Sequence, residues 1–148
     1  AAGTRIAAMA ADVCGHADAG ATALREAKYA WAGQLRASGD RDQALKLYKE
    51  LASDVKTREG SEAAYYVIEA LFESGDLDKT ESEVFAFSDR EPNAYWLAKA
   101  FLLLGDVYVR KGDTFQARAT YQSVADGYSP ADDGIVDEAK ERIAKLKN

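Results

Sequence analysis

The sequence is poor in the residues that build reactive or metal-binding sites. Its 148 residues include one cysteine, Cys14, and one histidine, His16. A single cysteine cannot form an internal disulfide bond, and zinc sites need several ligands at short spacing. A nucleophilic Cys14–His16 pair is the catalytic alternative, but both residues are predicted at a helix end or loop, and no orienting group supports the pair. We therefore expect no catalytic residues, no metal and no cofactor.

Long apolar runs and glycine-rich loops are also scarce. The strongest apolar segment, Ala98 to Leu104, is interrupted by Lys99 and falls far short of the roughly 18 residues that span a bilayer. Glycines are scattered singly, so no phosphate-binding loop is predicted. The net charge of -6 repels both nucleic acid and anionic membrane surfaces. We expect neither nucleic acid binding nor direct membrane insertion.

What the sequence does contain is a recurring pair of glycine and aspartate. Gly39, Gly75 and Gly112 recur at intervals of 36 and 37 residues, each after an apolar periodic segment and each followed by aspartate. Glycine ends a helix in the left-handed conformation at low steric cost, and aspartate caps the amides that begin the next helix. Prolines number only two, Pro92 and Pro130. The pattern predicts three helical hairpins in an all-α chain.

Apolar periodicity predicts the helices of these hairpins. They span residues 22–38 and 41–53, 61–74 and 77–87, and 93–111 and 114–128. A last helix, 131–147, is apolar on one side, which is typical of a cap that closes a stack. The chain is thus predicted to be one domain with a partial unit at 1–20, repeat units at 22–56, 59–92 and 93–130, and a capping helix at 131–148.

Residues 4–13 are predicted to be the second helix of an incomplete earlier pair. Its apolar positions are Ile6, Met9 and Val13, and its partner helix is expected upstream of Ala1. The chain is therefore expected to be the carboxy-terminal part of a longer protein. Because this helix lacks its partner, homo-oligomerisation through its exposed apolar face is a further expectation.

The hairpins carry a motif of small and aromatic residues. The third hairpin has Leu104-Gly105, Tyr108, Gly112, Ala117, Tyr121 and Pro130; the first has Trp31-Ala32, Leu35, Gly39, Ala44 and Tyr48; the second has Val67-Ile68, Leu71, Gly75, Thr80, Val84 and Pro92. These residues resemble the tetratricopeptide repeat (TPR) family, from whose small-residue pattern Ile68 and Thr80 depart. The resemblance implies a right-handed α-α superhelix, a TPR-like solenoid with a carboxy-terminal capping helix, that binds a protein or peptide.

The segment from Trp96 to Asp113 is also similar to TPR proteins of the bacterial cell envelope, notably those of the Bacteroidetes group. This likeness implies a periplasmic or envelope-associated location, with the cytoplasm as the alternative. The function implied is that of a scaffold or adaptor in a protein assembly. The alternative is a regulatory or sensing domain of a larger enzyme or receptor.

Alignment with TPR hairpins places eleven residues of the first helices on the concave, partner-binding face. They are Glu26, Tyr29, Arg36, Glu62, Tyr65, Glu69, Phe72, Lys99, Leu102, Asp106 and Val109. This groove offers carboxylate acceptors and aromatic faces, which would suit a peptide with basic and apolar side chains. The alternatives are that these residues contact neighbouring helices or solvent, or that the convex face binds the partner.

Overall fold

Seven α-helices and no β-strand make up the part of the chain that the structure, a computed structural model, describes: residues 20–130 and 132–146. The helices are α1 (Ala21–Ala37), α2 (Arg41–Leu51), α3 (Arg58–Glu73), α4 (Leu77–Asp89), α5 (Ala94–Arg110), α6 (Thr114–Gly127) and α7 (Ile135–Lys145). The prediction of an all-α chain of helical hairpins is confirmed. The partial unit at 1–20 lies outside the described residues, apart from Gly20.

The predicted turns are present at all three glycine-aspartate pairs. Gly39, Gly75 and Gly112 have positive φ angles of 89°, 88° and 79°, a region that side chains with a Cβ rarely occupy. The aspartate after each glycine accepts a hydrogen bond from the backbone N–H three residues later. The pairs are Asp40 with Gln43 at 3.3 Å, Asp76 with Lys79 at 3.2 Å, and Asp113 with Gln116 at 3.0 Å.

Two predicted helix starts were wrong. Helix α3 begins at Arg58 rather than at residue 61, because the Thr57 hydroxyl caps the Gly60 N–H at 3.0 Å. Ser61 is instead buried, and its hydroxyl donates to the Val55 carbonyl at 2.6 Å. Helix α7 begins at Ile135 rather than at residue 131, because the preceding glycine has a φ of +87°.

The chain divides after Val67, within α3, into two compact units. In the first unit, α1 and α2 pack as a hairpin. Its core consists of Ala32, Ala44, Leu47, Tyr48, Leu51 and Ala63. Ala32 and Ala44 occupy the small-residue positions of the motif and are buried, as close helix packing requires.

In the second unit, α5 packs against α4, α6 and α7. The closest approach is at Gly105, where an added Cβ would lie 2.2 Å from Cε1 of the Tyr121 ring. Ala117 is fully buried, so the predicted close-packing role of both small residues is confirmed. Thr80 departs from the small-residue pattern, but its buried hydroxyl is satisfied because it donates to the Asp76 carbonyl at 2.7 Å.

A candidate partner-binding cleft

The predicted groove residues of the first unit are used mainly to hold its own helices together. The Tyr29 hydroxyl on α1 donates to Glu62 on α3, with both carboxylate oxygens at 2.9 Å. Burial, followed by this hydrogen bond, raises the pKa of Tyr29 to about 12. Glu62 is only 9% exposed and Tyr65 is also buried, whereas Glu26 is exposed. Glu62 and Tyr65 therefore offer little surface to a partner.

Arg36 joins an aromatic group in the same unit. Its guanidinium carbon lies 3.9 Å from the centroid of the Tyr66 ring. That ring lies 4.9 Å from the Tyr48 ring and 6.0 Å from the Tyr65 ring, both distances within the range of favourable aromatic pairs. Burial is the main cause that raises the pKa of Tyr66 and of Tyr48 above the ordinary tyrosine value. The group stabilises the packing of α1, α2 and α3.

In the second unit, the predicted groove residues separate into different environments. Leu102 is 1% exposed and belongs to the core, so its placement on the binding surface was wrong. It belongs to the buried residues of α5, together with Leu103 and Leu104. Lys99 is half-buried and pairs with Glu138 of α7 at 3.7 Å. Glu69 is half-buried on α3.

The remaining three predicted residues, Phe72, Asp106 and Val109, come together at one cleft of about 330 Å³. Sequence reasoning missed the other residues that line it. They are Arg110 of α5, Tyr121 of α6, and Arg142, Lys145 and Leu146 at the end of α7. The cleft is therefore built from the ends of α3, α5 and α7 over a base that includes Tyr121.

The floor of the cleft is held by one carboxylate. Asp106 accepts hydrogen bonds from Nε and Nη2 of Arg142, at 3.1 Å and 3.4 Å, and from the Tyr121 hydroxyl. Burial and the hydrogen bond to Asp106 raise the pKa of Tyr121. Burial lowers the pKa of Arg142, but its hydrogen bond and charge interaction with Asp106 outweigh burial and raise that pKa overall. The three groups fix α5, α6 and α7 relative to one another.

The rim of the cleft is cationic and apolar. Arg110 places its guanidinium carbon 4.4 Å from the centroid of the Phe72 ring, a cation–π contact. Val109 is 46% exposed, which leaves apolar surface open beside the cations. Lys145 is exposed at the end of α7. The lining thus offers apolar surface together with positive charge.

Arg142 and Lys145 were missed because α7 was interpreted as a cap that only closes the stack. A signal was present in the sequence. Arg142 and Lys145 lie three residues apart on α7, so they share one helix face with the apolar Leu146 close by.

The helices that carry the cleft can be compared with known families. The tetratricopeptide repeat model matches residues 99–129. The TPR match covers most of α5 and all of α6, the hairpin that carries the fullest motif, and it confirms the predicted resemblance there. No curated protein and no solved structure shows a significant match to the chain. The likeness to envelope proteins of the Bacteroidetes stays a prediction.

A second cleft, of about 310 Å³, lies between α5 and α6 of the TPR hairpin. Leu97, Phe101, Val124 and Tyr128 contribute its larger side chains, and no charged residue lines it. The side chains that line this cleft, including Ser123 and Tyr128, are uncharged, so the cleft can bury an apolar side chain but offers a ligand no ion pair. The cleft at Phe72 and Arg110 combines both kinds of contact, so it is the stronger candidate site.

Residues 20–130 and 132–146 carry neither a metal-binding cluster nor a membrane-spanning helix. In that part of the chain, no three His, Cys, Asp or Glu side chains are grouped so that they could hold a metal ion. No helix there is long and apolar enough to cross a membrane. Cys14, His16 and the predicted helix at 4–13, with its expected role in homo-oligomerisation, lie outside the described residues.

Proposed function

We propose that this chain is a protein-interaction domain that holds a partner protein as a scaffold or adaptor. The partner would insert a peptide segment into the cleft between Phe72, Val109 and the end of α7. The observation that carries the proposal is the exposed apolar surface beside cations, placed on a base that is fixed by hydrogen bonds. Helical-repeat proteins generally use the surfaces of their stacked hairpins to bind other proteins, and such folds are typically not catalytic.

The size of the cleft favours a peptide anchor over a small-molecule cofactor. Its volume of about 330 Å³ is at the small end of the range of roughly 300–1,000 Å³ for ligand pockets. Protein interfaces obtain most of their affinity from a few side chains that enter such pockets. A segment with one or two anchoring side chains matches these dimensions.

The base of the cleft is preorganised. Tyr121 is buried against Gly105, and its hydroxyl donates to Asp106, which in turn holds Arg142. Side chains that are already fixed lose little conformational entropy when a ligand binds, so more of the contact energy appears as affinity. The rim residues Phe72 and Arg110 are also in contact before any partner arrives.

The proposal is tested by peptide display against the purified chain, followed by affinity measurements on the Val109→Glu variant. This change puts a carboxylate on the exposed apolar side of the cleft without touching the core. We expect selected peptides to lose about tenfold in affinity, equal to about 1.4 kcal/mol. The matched control is Phe115→Ala, which removes an apolar side chain that is 83% exposed and does not line the cleft.

Peptides that bind the control and the wild type equally, but bind Val109→Glu weakly, would support the proposal. Some selected peptides could keep their affinity for Val109→Glu and lose it for Phe101→Ser. That result would place the binding site in the apolar cleft between α5 and α6 instead. Thermal melts of each variant show whether the fold is kept.

A further inference from the structure

We infer that the segment bound in this cleft is an acidic and apolar peptide, with a carboxylate side chain next to an apolar one. The inference rests on the proposed function and specifies the chemistry of the partner. It reverses the expectation from the sequence, which favoured a basic and apolar peptide. The reversal follows from the hydrogen bonds of the carboxylates and from the positions of the cations.

The carboxylate that the sequence offered as an acceptor for a basic ligand is already occupied within the chain. Asp106 accepts hydrogen bonds from the Tyr121 hydroxyl and from two nitrogens of Arg142. A carboxylate that already holds a guanidinium fork has little capacity to bind another cation. A basic side chain entering the cleft would therefore have to displace Arg142.

Two cations besides Arg142 line the cleft, Arg110 and Lys145. Arg110 contacts the face of the Phe72 ring, and an arginine stacked on a ring keeps the N–H donors at its edge available for an acceptor. Lys145 makes no ion pair with another residue of the part of the chain that the structure describes. Three cations and one carboxylate line the cleft, which gives this site a positive balance in a chain whose net charge is -6.

Apolar side chains lie in the same cleft as these cations. Phe72, Val109 and Leu146 line the same cleft as Arg110 and Lys145. An apolar side chain bound there would be buried against them, while an adjacent carboxylate would reach a cation at the rim. The acidic character of the chain as a whole repels such a peptide from most other surfaces, which favours selectivity for the cleft.

The test uses three synthetic peptides with acetylated amino and amidated carboxyl ends, so that every charge is on a side chain. The first alternates aspartate with leucine, the second alternates lysine with leucine, and the third alternates aspartate with serine. Binding to the purified full chain is followed by fluorescence anisotropy at low and at high salt. Chemical-shift changes of backbone amides map where each peptide binds.

We expect the aspartate-leucine peptide to bind at least about tenfold more tightly than either of the others, because only it satisfies both the cations and the apolar surface. Its affinity should fall with added salt, since exposed charges are screened over about 8 Å at physiological ionic strength. The double variant Arg110→Glu and Lys145→Glu should lose at least about tenfold in affinity.

The matched control is Lys49→Glu with Lys79→Glu. It makes the same change in net charge at two exposed lysines, on α2 and α4, that do not line the cleft. This control should leave the affinity within about twofold. The conservative pair Arg110→Lys and Lys145→Arg should keep most of the binding. If the double Glu variant fails to fold, Arg110→Gln with Lys145→Gln replaces it.

Three results would overturn the inference. Equal or tighter binding of the lysine-leucine peptide, with shifts mapped to α5 and α7, would refute the acidic partner and leave the proposed function standing. Binding of no peptide at the cleft, together with display-selected peptides that ignore Val109→Glu, would refute the proposed function as well. The control variant could also weaken binding of the aspartate-leucine peptide as much as the cleft variant does. That result would show general charge attraction without a specific site.

Discussion

Replacing Gly105 by alanine would place a methyl group where the Tyr121 ring already lies. The added Cβ would be 2.2 Å from Cε1, 2.6 Å from Cδ1 and 2.7 Å from Cζ of that ring. Non-bonded carbon atoms pack at about 3.5–4.0 Å, so the overlap exceeds 1 Å. The clash is with the middle of a buried ring and not with the flexible end of a long side chain.

The energetic cost has two sources and one compensation. Overpacking of a core costs about 1–3 kcal/mol. Displacing the ring also weakens the hydrogen bond from Tyr121 to Asp106, and a hydrogen bond to a charged group contributes about 1.5–3 kcal/mol. Alanine is favoured over glycine inside a helix by about 1 kcal/mol. The net loss in the free energy of unfolding is therefore about 1.5–5 kcal/mol.

Urea unfolding followed by circular dichroism at 222 nm measures this loss. The control is Gly33→Ala on α1, where the new Cβ meets nothing within 4 Å and no positive φ is required. The control should raise the free energy of unfolding by about 0.5–1 kcal/mol, because only helix propensity changes. The opposite signs of two identical substitutions separate packing from propensity.

A Gly105→Ala variant as stable as the wild type would refute the proposed packing of α5 against Tyr121. A second variant sharpens the test. Tyr121→Leu shortens the side chain that the new methyl group would meet, so Gly105→Ala should cost less in the Tyr121→Leu background than in the wild type. Equal costs in the two backgrounds would show that the clash with this ring is not the cause.

Three further predictions concern the ion pairs and hydrogen bonds. Tyr29→Phe leaves buried Glu62 without one donor and should lower the free energy of unfolding by about 1–3 kcal/mol in urea unfolding. Burial, and after it hydrogen bonding to carboxylates, raises the pKa of Tyr29 and of Tyr108 to about 12. The stability that these tyrosines contribute is therefore complete below about pH 10 and is lost as the pH rises toward about 12. Tyr29→Phe should flatten the dependence of stability on pH in alkaline denaturation. The hydrogen bond from Tyr108 and the charge of Lys111 hold the pKa of Glu81 below its usual value. The stability that Glu81 contributes is therefore present above about pH 4.5 and is lost as the pH falls below it. Acid unfolding of the Glu81→Gln variant should depend less on pH than that of the wild type.

Most of the helices could be predicted from local sequence because their signals are local. A glycine at positive φ and the aspartate after it act within one turn, so Gly39, Gly75 and Gly112 mark the hairpin turns without knowledge of distant residues. The start of α3 was missed because it depends on the Thr57 cap and on the buried hydrogen bond from Ser61 to Val55. The start of α7 was missed because the helix begins directly after Gly134, whose φ is +87°, and not at residue 131.

The candidate site was predicted only in part. Phe72, Asp106 and Val109 line one cleft, as expected for residues at matching positions of successive first helices, which lie on the same side of repeated hairpins; the role of this cleft in binding stays a prediction. Leu102 was projected to the same surface but is buried, since helical spacing alone does not distinguish a groove residue from one that faces the next helix. Arg142 and Lys145 were absent from the prediction because α7 was assigned a capping role.

The sequence by itself determined the helical class, the hairpin turns and the close-packing positions, because helix propensity, turn glycines and apolar spacing act over a few residues. The tertiary structure decided which charges are available to a partner. In the sequence, Asp106 and Glu62 look like free acceptors. In the structure, Asp106 accepts a hydrogen bond from Arg142, 36 residues away, and Glu62 accepts one from Tyr29, 33 residues away. Pairing across such separations depends on which helices meet, so only the folded chain shows that positive charge remains exposed in the cleft.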